Sequence, residues 1–305
     1  MNTTKDIILR AWKESVPVPA FNIPYLPMVA PMIQAVVDQD AFCLLEVARL
    51  EWTKFEAKGL KEVHDEFARN QDANHVRLHL DHVPVIDEDF QEVDYLAVVK
   101  QAIDLGFESV MVDGSRLDLE ANIRATSAVA EVARAAGVPC EAELGSVLGH
   151  EEGPLPSYEE IFHSGRGFTD EDDAVRFAQE TQCDWLSVAA GNIHGAVSTA
   201  LRDQKKPEAR LNLNHLEVLG QAVGIPLVLH GGSGIKQYYV LEAVKRGITK
   251  INVGTEVRQA YESTLRETQQ TKRAQEAVYK RVVWLITDYY KIAGSRQSLV
   301  RHDAP

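Results

Sequence analysis

The residues in this chain best suited to chemistry are His82, His194 and His230, each placed just past a short apolar run. Three neutral imidazoles suit zinc, and three protein ligands leave a fourth position open for substrate. A lone histidine more often hydrogen-bonds a loop, because histidine is intermediate in its preference for burial. Three at corresponding positions favour the ligand reading. Asp81 adjoins His82 in Arg77-Leu78-His79-Leu80-Asp81-His82, where a carboxylate can act as a general base or orient a histidine ligand. Asp113 and Glu143 end two further runs and offer an alternative metal position, or ordinary ion pairs on a rim. His79 stands three residues before His82. Alternate strand residues share a face, so the two should not point together unless the strand breaks, and His79 reads as a core or supporting group.

A second cluster concerns anions. His230-Gly231-Gly232-Ser233-Gly234 and Asn252-Val253-Gly254-Thr255 follow consecutive apolar runs. Glycines let backbone amides approach phosphate oxygens, a helix N-terminus adds positive field, and Ser233 and Thr255 add hydroxyl donors. The two clusters together predict a zinc site beside a small phosphorylated substrate. Aldol cleavage, enolisation and hydrolysis all use a metal next to a base, and the motifs leave these open.

Such groups need elements to position them. Eight short apolar runs at 16–22, 42–47, 76–80, 109–113, 139–144, 185–189, 226–230 and 250–253 alternate with amphipathic segments. That alternation predicts parallel strands with crossover helices, and eight repeats predict an α/β fold, a (β/α)8 TIM barrel with additional C-terminal helices. A doubly wound sheet is the competing arrangement. In a barrel, catalysis collects at the C-terminal strand ends. Here those ends carry Asn22, Glu46, Asp81-His82, Asp113, Glu143, His194, His230 and Asn252. No Pro- or Ser-rich linker divides the chain, so 1–305 reads as one domain with a helical extension over about 255–305. The connections 145–169 and 191–211 are longer than a barrel needs, which marks them as functional or mobile loops on the catalytic rim.

The totals set the class. The 305 residues are 45% hydrophobic and 25% charged, enough for a large core. A net charge of -13 argues against a nucleic-acid binder, though not against anionic small substrates held in a local pocket. No apolar run approaches the roughly 20 residues of a membrane span, and the first ten residues lack a secretory pattern. The 3 cysteines are odd in number and far apart, which suits a reducing cytoplasm rather than disulfides or a thiolate zinc site.

Several longer motifs run along the chain. They include Pro19-Ala20-Phe21-Asn22, His79-Leu80-Asp81-His82, Gly106-Phe107-Glu108-Ser109-Val110-Met111-Val112-Asp113-Gly114-Ser115 and Glu141-Ala142-Glu143-Leu144-Gly145. Gly191-Asn192-Ile193-His194-Gly195, Pro226-Leu227-Val228-Leu229-His230-Gly231-Gly232-Ser233-Gly234 and Lys250-Ile251-Asn252-Val253-Gly254-Thr255 complete the set. With these motifs the chain resembles the class II, metal-dependent fructose-bisphosphate and tagatose-bisphosphate aldolases, almost end to end. The resemblance implies zinc held by His82, His194 and His230, with Asp113 and Glu143 serving a second metal position. It implies Asp81 as the acid/base for the C4 hydroxyl, and a second acid/base glutamate on a mobile loop, Glu151 or its neighbour Glu152. Gly195, Gly231, Gly232, Ser233, Asn252, Gly254 and Thr255 would bind the donor phosphate, with a monovalent cation, Na+ or K+, nearby; Asn22 would be a substrate-side amide. A cytoplasmic homodimer or homotetramer acting on a phosphorylated sugar, without nucleic-acid or membrane partners, is the implied setting. No Schiff-base lysine is needed, and Lys250, at the start of the eighth run, stands at the wrong end for one.

Departures from the family pattern concern the substrate. Glu46-Val47-Ala48-Arg49 replaces a small hydroxyl residue after the second run, and Ala196-Val197 replaces an aromatic after His194-Gly195. Gly254 stands where one fructose-bisphosphate subclass places an aspartate, which brings the chain closer to the tagatose type. Glu46 or Arg49 would then read a different acceptor group, such as that of a deoxy-keto-sugar-acid phosphate, or Arg49 simply pairs with Glu51 or Glu46. The competing functions are a non-catalytic phosphosugar-binding relative and a metal-dependent hydrolase. The hydrolase reading lacks a His-x-His pair on the first strand.

Overall fold

The computed structural model describes residues 2–145, 158–192 and 209–300. Its strands are β1 (Val18–Asn22), β2 (Cys43–Ala48), β3 (Val76–Asp81), β4 (Ser109–Val112), β5 (Cys140–Leu144), β6 (Trp185–Val188), β7 (Leu227–Leu229) and β8 (Ile248–Val253). Neighbouring strands are parallel, and β1 pairs with both β2 and β8, which closes the barrel in sequence order. The (β/α)8 TIM barrel is therefore the architecture, and the doubly wound alternative, an open sheet, is ruled out. β8 begins at Ile248, so Lys250 is a mid-strand residue and not the first.

The strand residues facing outward, among them Leu45, Val47, Leu78, Leu80, Val110 and Val112, pack under the surrounding helices in one continuous core. Sequence periodicity gave no warning of the helix Thr4–Glu14, which closes the floor of the barrel. Its Ile7, Ile8 and Ala11 are fully buried against Val18, Ala20, Phe42, Leu44, Trp185 and Val228. Burial of each isoleucine is worth about 1.5–3 kcal/mol. The helix starts at a capping box, with the Thr3 hydroxyl accepting from the Asp6 N–H at 3.2 Å and Asp6 accepting from the Thr3 N–H at 2.9 Å. The tail beyond β8 is helical over Thr255–Thr268 and Thr271–Trp284, and the second helix also covers Val29–Asp38. It is not continuous: Gln269 breaks it at φ 55°.

Above its apolar floor the interior turns polar. Because alternate residues of a strand share a face, each rim residue has an inward neighbour two positions earlier. His79 lies under Asp81, Glu141 under Glu143 and Lys250 under Asn252; together with Glu46 on β2 they form a layer with no exposure to solvent.

Candidate active site

β3 ends at Asp81, and the next residue, His82, takes a positive φ of 28°. In an unbroken strand Asp81 and His82 would face opposite sides. The left-handed turn, strained for a residue with a side chain, lets both serve the same site. His82 Nδ1 lies 3.2 Å from Asp113 Oδ2 at the end of β4 and 3.9 Å from Glu143 Oε2 at the end of β5. His230, following β7, places Nδ1 at 2.8 Å from Glu143 Oε2 and Nε2 at 2.9 Å from Glu141 Oε1. The two imidazole rings are 4.4 Å apart between centroids.

Asp81, His82 and His230 each present a ligand atom within 4.8 Å of the others, and so do His82, Asp113 and Glu143. Nitrogen and oxygen donors in this mixture fit zinc. Carboxylates also orient both rings, as they do around metal-binding histidines: Asp113 faces His82 Nδ1, and Glu141 and Glu143 face Nε2 and Nδ1 of His230. Glu46, His79 and Asp81 form a third such group, but the Lys250 ammonium, 3.0 Å from Glu46, already supplies its positive charge.

The electrostatics of the site favour a cation. Burial alone would lower the His82 imidazole, but Asp81, Asp113 and Glu143 hold it well above its ordinary value. Burial and the charge of His82 lower His230, yet Glu143 and Glu141 carry it up to about 9. Burial raises Asp81, but His82, Lys250 and His230 outweigh it and keep the carboxyl below its usual range. Asp113 is likewise depressed against burial, by His82 and by the hydroxyl and N–H of Ser115 at 2.6 and 2.9 Å. Asp81 also accepts two side-chain amides, from Asn22 Nδ2 at 3.1 Å and from Asn252 Nδ2 at 2.9 Å. Both asparagines, read from the sequence as substrate- or phosphate-side groups, thus also hold this carboxylate.

The anion cluster is compact. A Cβ on Gly232 would lie 2.6 Å from Ile251 Cγ2 and 2.9 Å from the Asn252 carbonyl, whose oxygen accepts the Gly232 N–H at 3.0 Å. Only glycine allows these two loops to touch. Gly254 packs against Asn22 and precedes the helix Thr255–Thr268, and Ser233 Oγ accepts the Glu256 N–H at 3.3 Å in its first turn. A glycine-rich loop meeting a helix N-terminus is an arrangement suited to phosphate.

His194, Gly195, Glu151 and Glu152 lie outside the described residues. The approach to His194 is described as far as Asn192, whose side chain donates to the His230 carbonyl at 3.0 Å and accepts the Ala190 N–H at 2.8 Å. Arg49 departs from expectation. It pairs with Asp87 at 3.2 Å, not with Glu51 or Glu46. Glu51 turns back to accept the Ala48 N–H at 2.9 Å, and Glu46 points into the barrel. Sequence reasoning gave Glu141 no role and considered Lys250 only to set it aside as a Schiff-base lysine. The signal available was a charged residue two positions before a rim residue in an otherwise apolar strand.

The family model for class-II fructose-bisphosphate aldolases matches residues 2–297. Among curated relatives, a 6-phospho-5-dehydro-2-deoxy-D-gluconate aldolase of Halalkalibacterium halodurans is 39% identical over 191 residues, 63% of this chain and 57% of that protein. A fructose-bisphosphate aldolase of Streptococcus pyogenes serotype M1 is 36% identical over 207 residues, 67% of this chain and 61% of the relative. The chain thus spans less than two thirds of the length of these relatives. Among solved structures, the YdjI aldolase of Escherichia coli K12 superposes with a TM-score of 0.76 at 24% identity, covering 97% of this chain and 100% of the other. A putative fructose-1,6-bisphosphate aldolase from Coccidioides immitis gives 0.76 at 23% identity, covering 97% and 98%. At these identities the likeness is one of fold.

Proposed function

The chain belongs to the class-II fructose-bisphosphate aldolase family, and from that premise we propose that it is a zinc-dependent aldehyde-lyase. It would cleave a ketose (bis)phosphate of the fructose- or tagatose-1,6-bisphosphate type reversibly to dihydroxyacetone phosphate and an aldehyde. The observation that carries this reading is the meeting of Asp81, His82 and His230 within 4.8 Å at the C-terminal ends of barrel strands. Zinc would be held by His82, His230 and His194, with Asp113 and Glu143 offering a second position; when bound, it supplies Lewis-acid polarisation of the donor ketone. Asp81, ionised and held by two amide donors, takes the C4 hydroxyl proton in cleavage and returns it in condensation. Glu151 would serve the donor carbon in the same way. Gly195, Gly231, Gly232, Ser233, Gly254 and Thr255 would grip the donor phosphate, fixing the reacting bond relative to Asp81, with a monovalent cation alongside.

A second reading of the acceptor, a deoxy-keto-sugar-acid phosphate, is favoured by the 39% identity to an aldolase of that name. The setting is a cytoplasmic homodimer or homotetramer built on one catalytic domain, in keeping with three buried free cysteines; no described helix is long and apolar enough to cross a membrane. A panel of ketose phosphates, with and without a terminal carboxylate, tests the proposal through kcat/KM. Release of dihydroxyacetone phosphate from at least one member is expected. Turnover of the sugar-acid phosphate above the bisphosphates selects the second reading, and no cleavage of any member refutes both.

A further inference from the structure

Directly beneath Asn252 the Lys250 ammonium is fully buried. Its Nζ lies 3.0 Å from Glu46 Oε2, 3.0 Å from Glu141 Oε2 and 2.6 Å from Asn252 Oδ1. Glu141 is fixed in turn by the Trp185 indole N–H at 2.7 Å and by His230 Nε2 at 2.9 Å. We propose that Lys250 is a positioning residue for the aldol reaction, holding the Asn252 side chain in the one orientation that offers an N–H to Asp81. This rests on the functional reading above.

The argument is one of donors and acceptors. An ammonium has three N–H donors and no acceptor, so the Asn252 atom facing Lys250 must be its carbonyl oxygen. The amide nitrogen then has to face the other way, and it lies 2.9 Å from Asp81 Oδ1. Reversed, Asn252 would aim its NH2 at an ammonium and its oxygen at a carboxylate. Lys250 therefore decides whether the carboxylate of Asp81 meets a donor or a repelling oxygen, although it does not touch Asp81 itself at hydrogen-bond distance. Packing alone does not call for a charge here, since the floor of the same barrel is filled by Ala20, Leu44 and Val228. A buried ammonium is costly unless it is paired. Here its pairs, Glu46 and Glu141, come from strands on two sides of the barrel and leave its third N–H for Asn252.

The test is a variant pair with two readouts. Lys250→Met keeps an unbranched stem and removes the ammonium, and adding Glu46→Gln removes one of the two acids the ammonium faces. With zinc saturating, the double variant is expected to melt close to wild type, to lose about 100-fold in kcat as misplacement of a reacting group does, and to hold KM within about threefold. A double variant that regains kcat along with stability would overturn the proposal, because Lys250 would then only balance charge. The second readout needs no activity. In wild-type protein labelled with 15N-asparagine, the Asn252 side-chain amide is expected to be resolved and protected from solvent exchange, with zinc present or removed. An averaged, rapidly exchanging amide overturns the proposal even where neither variant folds. A wild type that cleaves no ketose phosphate defeats the functional reading, and the amide measurement still judges Lys250 separately.

Discussion

Asp81 sits between opposed influences, since burial favours its neutral form while His82, Lys250, His230 and two amide donors favour the carboxylate. The balance leaves it ionised at neutral pH, as a base must be. Asp81→Asn keeps the size of the side chain and removes the basicity, so kcat should fall by about 10²–10⁴-fold while the protein still binds zinc. Metal analysis alongside the cleavage assay decides the point, because loss of zinc would make Asp81 a ligand and not the base. At this scale the rim was legible in the sequence: Asp81, His82, Asp113, Glu143 and His230 each follow an apolar run. Glu141 and Lys250 were not, because a charge inside a strand reads as a break in the pattern until closure of the barrel shows it a partner. Arg49 was misread for a related reason. Its partner Asp87 comes from the loop after β3, and no spacing links the two.

Among the elements, all eight strands could be found from their apolar runs, since a strand covered on both faces is apolar nearly throughout. The short β7, Leu227–Leu229, survived because Pro226 and Gly231 bracket it. The helix Thr4–Glu14 escaped notice. Its mean composition is polar, and only Ile7, Ile8 and Ala11 reveal a face, whose burial depends on a barrel floor that the local sequence cannot show. The cap residues Thr3 and Asp6 were the usable sign. Ile8→Ala should cost about 2–5 kcal/mol, read as a lower midpoint in denaturant. A loss below about 1 kcal/mol would mean that the helix does not seal the floor. The connections 145–169 and 191–211 belong to the same scale: their length and the family resemblance marked them for function, and Glu151 and His194 within them lie outside the described residues.

Across the whole molecule the barrel is layered: an apolar floor, a buried layer of Glu46, His79, Glu141 and Lys250, then a rim of imidazoles and carboxylates. The middle layer orients the rim, and the rim concentrates negative charge where a metal cation would sit. The layering also separates the two known routes to aldol cleavage. The Lys250 amine is pushed above its ordinary range because Glu141 and Glu46 outweigh the effect of burial, so it stays protonated and is a poor nucleophile for a Schiff base. The central claim is thus that carbon–carbon cleavage depends on a metal held by His82 and His230. It is tested most directly by stripping the protein with a chelator and titrating zinc back while following release of dihydroxyacetone phosphate. Activity should vanish on stripping and return in full at about one equivalent of zinc per chain. Cleavage that survives complete removal of metal, or a lysine adduct trapped by borohydride, would contradict it.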